Sequence, residues 1–151
     1  MFIRRGVGRM MFAHLGRGAR IRDHNIIFDG KRLFIGDNFT SGKYNYFAGG
    51  EIRIGDNVRM ANFVVIETTS HYFSDPTTPI KNQGVIRETV TIGDDVWIAD
   101  RVVILPGVTI GRGSIIGAAG VVTNDIPAFS VAVGHPAQVI KHRAPDNQEK
   151  G

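Results

Sequence analysis

A six-residue period constrains this chain more than any other feature. Ile92, Ile98, Ile104, Ile110, Ile116 and Val122 follow one another at steps of six, and all are aliphatic and β-branched. Four residues after each of the first five stands a small or β-branched residue: Val96, Val102, Val108, Ser114 and Gly120. Gly93, Gly111 and Gly117 directly follow three of the ladder positions. Such a period suits neither the turn of an α-helix nor the alternation of a plain strand. It suits a parallel β-solenoid of triangular section, an all-β fold in which each hexapeptide builds one short face. The aliphatic residue points into the prism, small residues keep the interior from overfilling, and Gly or Asp-Asn permits positive φ at tight corners. Three faces, and so three hexapeptides, make one coil. Ile98 should therefore stack on Ile116 and Asp100 on Ala118, one strand spacing or about 4.8 Å apart.

The same signature runs upstream with interruptions. Ile54-Gly55-Asp56-Asn57-Val58, Met60 and Ile66 continue it, and Ile35-Gly36-Asp37-Asn38-Phe39 reads as an earlier start. Ile35 to Ile54 is one residue more than three hexapeptides, and Ile66 to Ile92 is two more than four. The larger slip is assigned to Tyr72 through Thr89, which contains Asp75-Pro76, Pro79 and Asn82-Gln83-Gly84 and breaks the period. We read it as one extended loop thrown out from the solenoid, and long loops in compact domains are usually functional. Past Asn124 the pattern ends in Ile126-Pro127 and Gly134-His135-Pro136, and a polar tail after Lys141 is expected to cap the open strand edges of the last coil. The chain thus reads as one domain: a basic lead-in over 1–33, a repeat core over 34–141 and a tail over 142–151.

Composition narrows the classes. The chain has 151 residues, 42% of them hydrophobic and 21% charged, which is globular rather than disordered. No stretch is long and apolar enough for a membrane-spanning helix. Cysteine is absent, which removes disulfides, thiolate metal sites and a cysteine acyl-enzyme. The net charge of +4 is uneven: as far as Arg32, eight Arg and Lys face only Asp23 and Asp29, an excess of +6 that leaves −2 elsewhere. A cationic end of this kind suits anionic lipid or phosphate, or simply a solvated lead-in. No nucleic-acid-binding motif accompanies it, so nucleic acid is not an expected partner.

Val96-Trp97-Ile98-Ala99, the run from Leu105 to Gly111, the run from Gly117 to Thr123 and Val133-Gly134-His135-Pro136-Ala137 resemble the hexapeptide-repeat acyltransferases. Within them, the chain is similar to the short sugar O-acetyltransferases of the galactoside, maltose and exopolysaccharide (colanic-acid type) branch, from about Ile52 to Lys141 and more weakly from Phe34. The resemblance implies a left-handed parallel β-helix, an exception to right-handed crossover. It also implies a homotrimer with active sites between neighbouring subunits, acetyl-CoA as donor and a cytoplasmic enzyme. The basic lead-in would then suit peripheral contact with the inner membrane surface.

Acetyl transfer to a hydroxyl needs a base, donors for the tetrahedral oxyanion and alignment of two substrates. His71, in Thr68-Thr69-Ser70-His71-Tyr72, matches the family's base and titrates in the useful range. Glu67 and Asp75 are the nearby carboxylates that could orient it. None of His14, His24, His135 and His142 pairs with His71 at metal-ligand spacing, so no metal is expected. On the donor side, the resemblance assigns the backbone amide of Asp100 to the thioester carbonyl and gives Ala118 a second backbone contact. It places Ala99 and Trp97 beside the reacting groups. Thr123, Asn124 and Lys141 fall at the CoA-phosphate end, where Asn124 replaces a lysine, Gln138 replaces an arginine, and Arg112 or Arg143 could compensate. On the acceptor side it points to Asn45 and Tyr46, with Asp75 from the loop. The function implied is transfer of an acetyl group to a carbohydrate hydroxyl in surface polysaccharide or glycolipid synthesis. The alternatives are an amino sugar, amino acid or antibiotic as acceptor, or a non-catalytic trimeric scaffold.

Overall fold

The computed structural model describes residues 11–143. Three parallel sheets form the faces of a solenoid. Sheet A orders His14–Leu15, Leu33–Ile35, Ile52–Ile54, Val90–Ile92 and Thr109–Ile110. Sheet B begins at Thr40–Ser41 and continues through Arg59–Met60, Trp97–Ile98, Ile115–Ile116 and Ser130–Gly134. Sheet C stacks Ile26–Ile27, Tyr46–Phe47, Val65–Ile66, Val103–Ile104 and Val121–Val122. Each coil visits A, B and C in turn, and the register is the one the period demands: Ile92 pairs with Ile110, Ile98 with Ile116 and Ile104 with Val122. The ladder residues and those four positions later all point inward, with Ile98, Val102, Ile104, Ile110, Ile116 and Val122 fully enclosed. Burying each such side chain stabilises the fold by roughly 1.5–3 kcal/mol.

The corners explain the recurrent Gly-Asp-Asn. Where sheet A turns into sheet B, Asp56 Oδ1 accepts from the Asp37 amide and Asp94 Oδ1 from the Asp56 amide, at 2.7 and 2.8 Å. The third residue adopts left-handed backbone at Asn38, Asn57, Asp95 and Gly113, with φ between 54° and 69°. Glycine is required at the first position because a Cβ on Gly36 would press into Gly55 and Asp56 of the next coil. Where sheet B turns into sheet C, the left-handed residues are His24, Tyr44, Phe63, Arg101 and Ala119. Bulky residues are sterically disfavoured at positive φ. Here they stack coil on coil, His24 on Tyr44 and Tyr44 on Phe63 with ring centroids 5.1 Å apart, and the Arg101 guanidinium lies over Phe63.

Three boundaries differ from the sequence reading. Parallel pairing starts at His14, not near Phe34: His14–Leu15 pairs with Phe34–Ile35, Arg20 bridges to Thr40, and Ile26–Ile27 pairs with Tyr46–Phe47. The basic segment therefore supplies a whole coil from Gly16-Arg17-Gly18 onward; residues 1–10 lie outside the described ones.

The insertion stands where the period breaks, but its stalk begins at Thr69, before Tyr72. Ile92 pairs with Ile110, a regular three hexapeptides on, whereas Ile54 pairs with Ile92 across more than twice that separation. More than one coil's length of chain is thus added at a single corner. It forms no featureless loop. Thr69–His71 pairs antiparallel with Val85–Arg87 as a hairpin stalk, with the outer turn beyond it.

The cap, finally, is a strand rather than a polar tail. Ala137–His142 folds back antiparallel on Ser130–Gly134 and covers the edge of sheet B. The tail beyond Arg143 lies outside the described residues.

Candidate active site

His71 ends the first strand of the hairpin stalk, opposite Val85, on the outgrowth from the corner between sheets C and A. Its side chain is exposed and makes no hydrogen bond or ion pair among the described residues. Asp75 does not orient it. That carboxylate accepts from the Thr77 amide and hydroxyl and from the Thr78 hydroxyl, at 2.8, 2.6 and 2.6 Å. The Thr77 and Thr78 hydroxyls and the Thr77 amide hold the Asp75 carboxyl down to about 2. Gln83 ties the same turn by donating to the Asp75 and Thr78 carbonyls. Asp75 is thus an internal knot of the outgrowth. Glu67, at the foot of the stalk, is the sequence-adjacent carboxylate that such a knot does not occupy.

Asp100 and Ala118 stack at the corner between sheets B and C, as a coil of three hexapeptides requires, and both are exposed. Ala99 and Arg101 donate their amides to Ile116 O and Asn62 O, and Ala119 donates to Asp100 O. Neither the Asp100 nor the Ala118 amide bonds to an adjoining coil among the described residues. The Asp100 carboxylate is drawn toward the preceding coil, where Oδ1 accepts from the Asn62 side chain at 2.8 Å and the Asn62 amide at 3.1 Å. Those two donors hold its carboxyl below the ordinary carboxylate range. Asn62 carries no motif of its own; its signal is its place one coil before Asp100, on the far side of the insertion.

Trp97 stands half-exposed on the outer face of sheet B, between Arg59 and Ile115. Lys141 is exposed on the cap strand of the same sheet. Thr123 and Asn124 lie at the opposite corner, between C and A, where Asn124 Nδ2 donates to Thr123 Oγ1. Arg143 is not free to replace Asn124: its guanidinium donates to Gly113 O and pairs with Asp95 at 3.5 Å. Arg112 lies over the Phe129 ring.

Asn45 needs correction. It is 1% exposed, its Oδ1 accepts from the Val64 amide and its Nδ2 donates to Gly42 O. Its amide in turn donates to Asn25 Oδ1. Asn25 and Asn45 form an internal ladder that secures two corners, so Asn45 offers nothing to a sugar. Tyr46 is the neighbouring residue that faces outward, on sheet C between Ile26 and Val65.

One chain therefore divides the candidate residues. Asp100 and Ala118 occupy the corner that enters sheet C, whereas His71, Thr123 and Asn124 occupy the corner that leaves it. The face between them is mainly apolar: Ile26, Tyr46, Val65, Val103 and Val121 form one outward column. The outward column of sheet A, by contrast, runs His14, Phe34, Arg53, Thr91 and Thr109.

Known proteins share this fold. The family model described as bacterial transferase hexapeptide (six repeats) matches residues 89–124. The galactoside O-acetyltransferase of Escherichia coli strain K12 is 39% identical over 133 residues, covering 87% of this chain and 64% of that protein. A maltose O-acetyltransferase from Clostridium difficile 630 superimposes with a TM-score of 0.85 at 37% identity, over 93% of this chain and 74% of the other. A galactoside acetyltransferase in complex with coenzyme A matches with a TM-score of 0.84 at 37% identity, over 91% and 68%. These likenesses establish the solenoid as the left-handed β-helix of hexapeptide-repeat proteins. The chain spans less than two thirds of the curated relatives, 64% of the E. coli enzyme and 44% of a Mycobacterium tuberculosis relative.

Proposed function

Because the chain belongs to the hexapeptide-repeat acetyltransferase family, we propose that it transfers the acetyl group of acetyl-CoA directly to a carbohydrate hydroxyl. The observation that carries this reading is His71: an exposed, uncommitted imidazole held on a hairpin stalk that interrupts an otherwise regular solenoid. In this mechanism His71 removes the acceptor hydroxyl proton as the oxygen attacks the thioester carbon. The tetrahedral oxyanion is met by the Asp100 backbone N–H, a donor that survives the side-chain change at this position. Collapse breaks the carbon–sulfur bond, and the imidazolium returns the proton to the leaving thiolate. Ala99 and Ala118 keep the donor corner shallow enough for the pantetheine arm, Trp97 flanks the reacting groups, and Thr123, Asn124 and Lys141 serve the phosphate end.

The active unit in this reading is a ring of copies, a homotrimer. The apolar column of sheet C is the face that a neighbouring copy would cover, since contiguous exposed apolar surface marks an interface. Packing it around a closed axis brings the corner carrying His71 beside the next copy's corner carrying Asp100. Acetyl-CoA places the reaction in the cytoplasm, where that thioester is made. The acceptor we favour is a building block of a surface polysaccharide or glycolipid. Among the described residues no helix is long and apolar enough to cross a membrane. Contact through the basic first coil is testable by flotation with anionic liposomes.

Calorimetric titration with acetyl-CoA tests the donor assignment. Saturable binding near one site per chain, retained in His71→Ala, is expected. Absence of binding up to millimolar acetyl-CoA would remove the transferase reading.

A further inference from the structure

A groove of about 600 Å³ opens on the outer face of sheet B where the first three coils meet the corner leading to sheet C. Its volume is that of a single small-ligand site. Arg20, Arg22, Lys43 and Arg59 line it, against the single acid Asp23. Asp23 is already paired, with Lys43 at 3.3 Å and His24 at 3.2 Å. Arg20, Arg22 and Arg59 have no acidic partner among the described residues, and all three are exposed. Three guanidinium-bearing side chains without an acidic partner among the described residues thus line one groove, a positive surface that favours an anion.

The groove also has a fixed place in the solenoid. Arg20, Thr40, Arg59 and Trp97 are successive outward residues of sheet B. At one strand spacing per step, Arg59 lies about 4.8 Å below Trp97 and Arg20 about 10 Å below Arg59. Trp97 forms one wall, with half its surface open to a flat ring. Asn62 lines the groove where it meets the catalytic corner, and the same Asn62 holds the Asp100 carboxylate. These cations lie on the N-terminal side of Asp100, whereas the residues assigned to the donor's phosphates, Thr123 and Lys141, lie on its C-terminal side.

We propose that this groove is the acceptor subsite and that it selects a carbohydrate bearing an anionic group, phosphoryl or carboxylate, with the anion on Arg59 and Arg20 and the sugar ring against Trp97. This deepens the acetyltransferase reading and rests on it. The guanidinium fork matches both anions bidentately, which a lysine would not. The Asp100 corner then receives the acceptor hydroxyl from one side and the thioester from the other.

The test measures binding and acetylation of glucose, glucose 6-phosphate, glucuronate and UDP-glucose by the full chain, its Arg59→Gln and Arg20→Gln variants and Arg59→Lys. At least one anionic sugar should bind about ten- to hundredfold tighter than glucose, a preference that weakens with salt. Arg59→Gln should erase it by raising KM for that sugar, Arg59→Lys should restore part of it, and the affinity for acetyl-CoA should stay unchanged in both. Preference for glucose 6-phosphate or UDP-glucose identifies a phosphoryl acceptor, and preference for glucuronate a carboxylate. A protein that takes acetyl-CoA yet treats glucose and its anionic derivatives alike overturns this inference and leaves the proposed function standing. So does an Arg59→Gln variant whose acetyl-CoA affinity falls as far as its sugar affinity. A protein that does not take acetyl-CoA overturns the proposed function and this subsite with it.

Discussion

His71 and Asp75 stand four residues apart on one outgrowth and have opposite duties. Asp75 commits both carboxylate oxygens to Thr77 and Thr78, and its carboxyl is held down to about 2. Because the folded value lies below the ordinary one of about 3.9, the knot's contribution is fully present above that pH and is lost as pH falls through about 2. A carboxyl-carbon NMR titration should place the Asp75 midpoint near 2, and Thr77→Ala should move it upward. A midpoint near the ordinary carboxylate value in the unaltered protein would contradict the knot. Asn45 teaches the same lesson from the interior. In sequence, an asparagine among aromatics reads as a sugar contact; in the fold it is a rung between Asn25 and Val64. Apart from Gly42, the partners that decide between the two, Asn25 and Val64, lie a full coil away along the chain.

The elements were legible where each coil is three hexapeptides long and each corner carries its own signal. From Ile92 to Val122 the coil length holds, although the B-to-C corners there carry Arg101 and Ala119 rather than glycine, and the register, the inward positions and the stacking of Asp100 on Ala118 follow directly. Upstream the coils are one or two positions longer, as the pairings of Ile35 with Ile54 and of Ile27 with Phe47 attest. Their B-to-C corners also place His24, Tyr44 and Phe63 where glycine or asparagine would have advertised a turn. The hairpin stalk escaped because its paired segments are three residues each, too short for alternation to register. Two substitutions separate core from corner. Ile98→Ala, at a fully buried ladder position, should cost about 2–5 kcal/mol in denaturant unfolding. Gly55→Ala would drive a Cβ to 2.8 Å from the Asp94 amide nitrogen, and overpacking of that kind should cost about 1–3 kcal/mol. A neutral Gly55→Ala would mean that the coils can spread at this corner without loss.

The whole molecule explains why a single chain looks unfinished. The residues proposed as its base and its oxyanion donor flank opposite edges of one face, and that face carries the outward column Ile26, Tyr46, Val65, Val103 and Val121. Val103→Lys, fourth of the five in the column, puts a charge on the surface assigned to the neighbouring copy and leaves the interior untouched. Sedimentation should find the unaltered protein at a multiple of 16.5 kDa and the variant at the single-chain mass, folded by circular dichroism but without turnover. A variant that stays fully active as a single chain would show that the site is completed within one copy.

Acetyl transfer with His71 as the base is tested most directly by coenzyme A thiol release with acetyl-CoA and a carbohydrate panel, comparing the unaltered protein with His71→Ala. The cysteine-free chain contributes no thiol of its own to that signal. Acceptor-dependent release should fall in His71→Ala by roughly 10²–10⁴ in turnover, with acetyl-CoA affinity unchanged. Equal turnover in the two proteins would take His71 out of the mechanism.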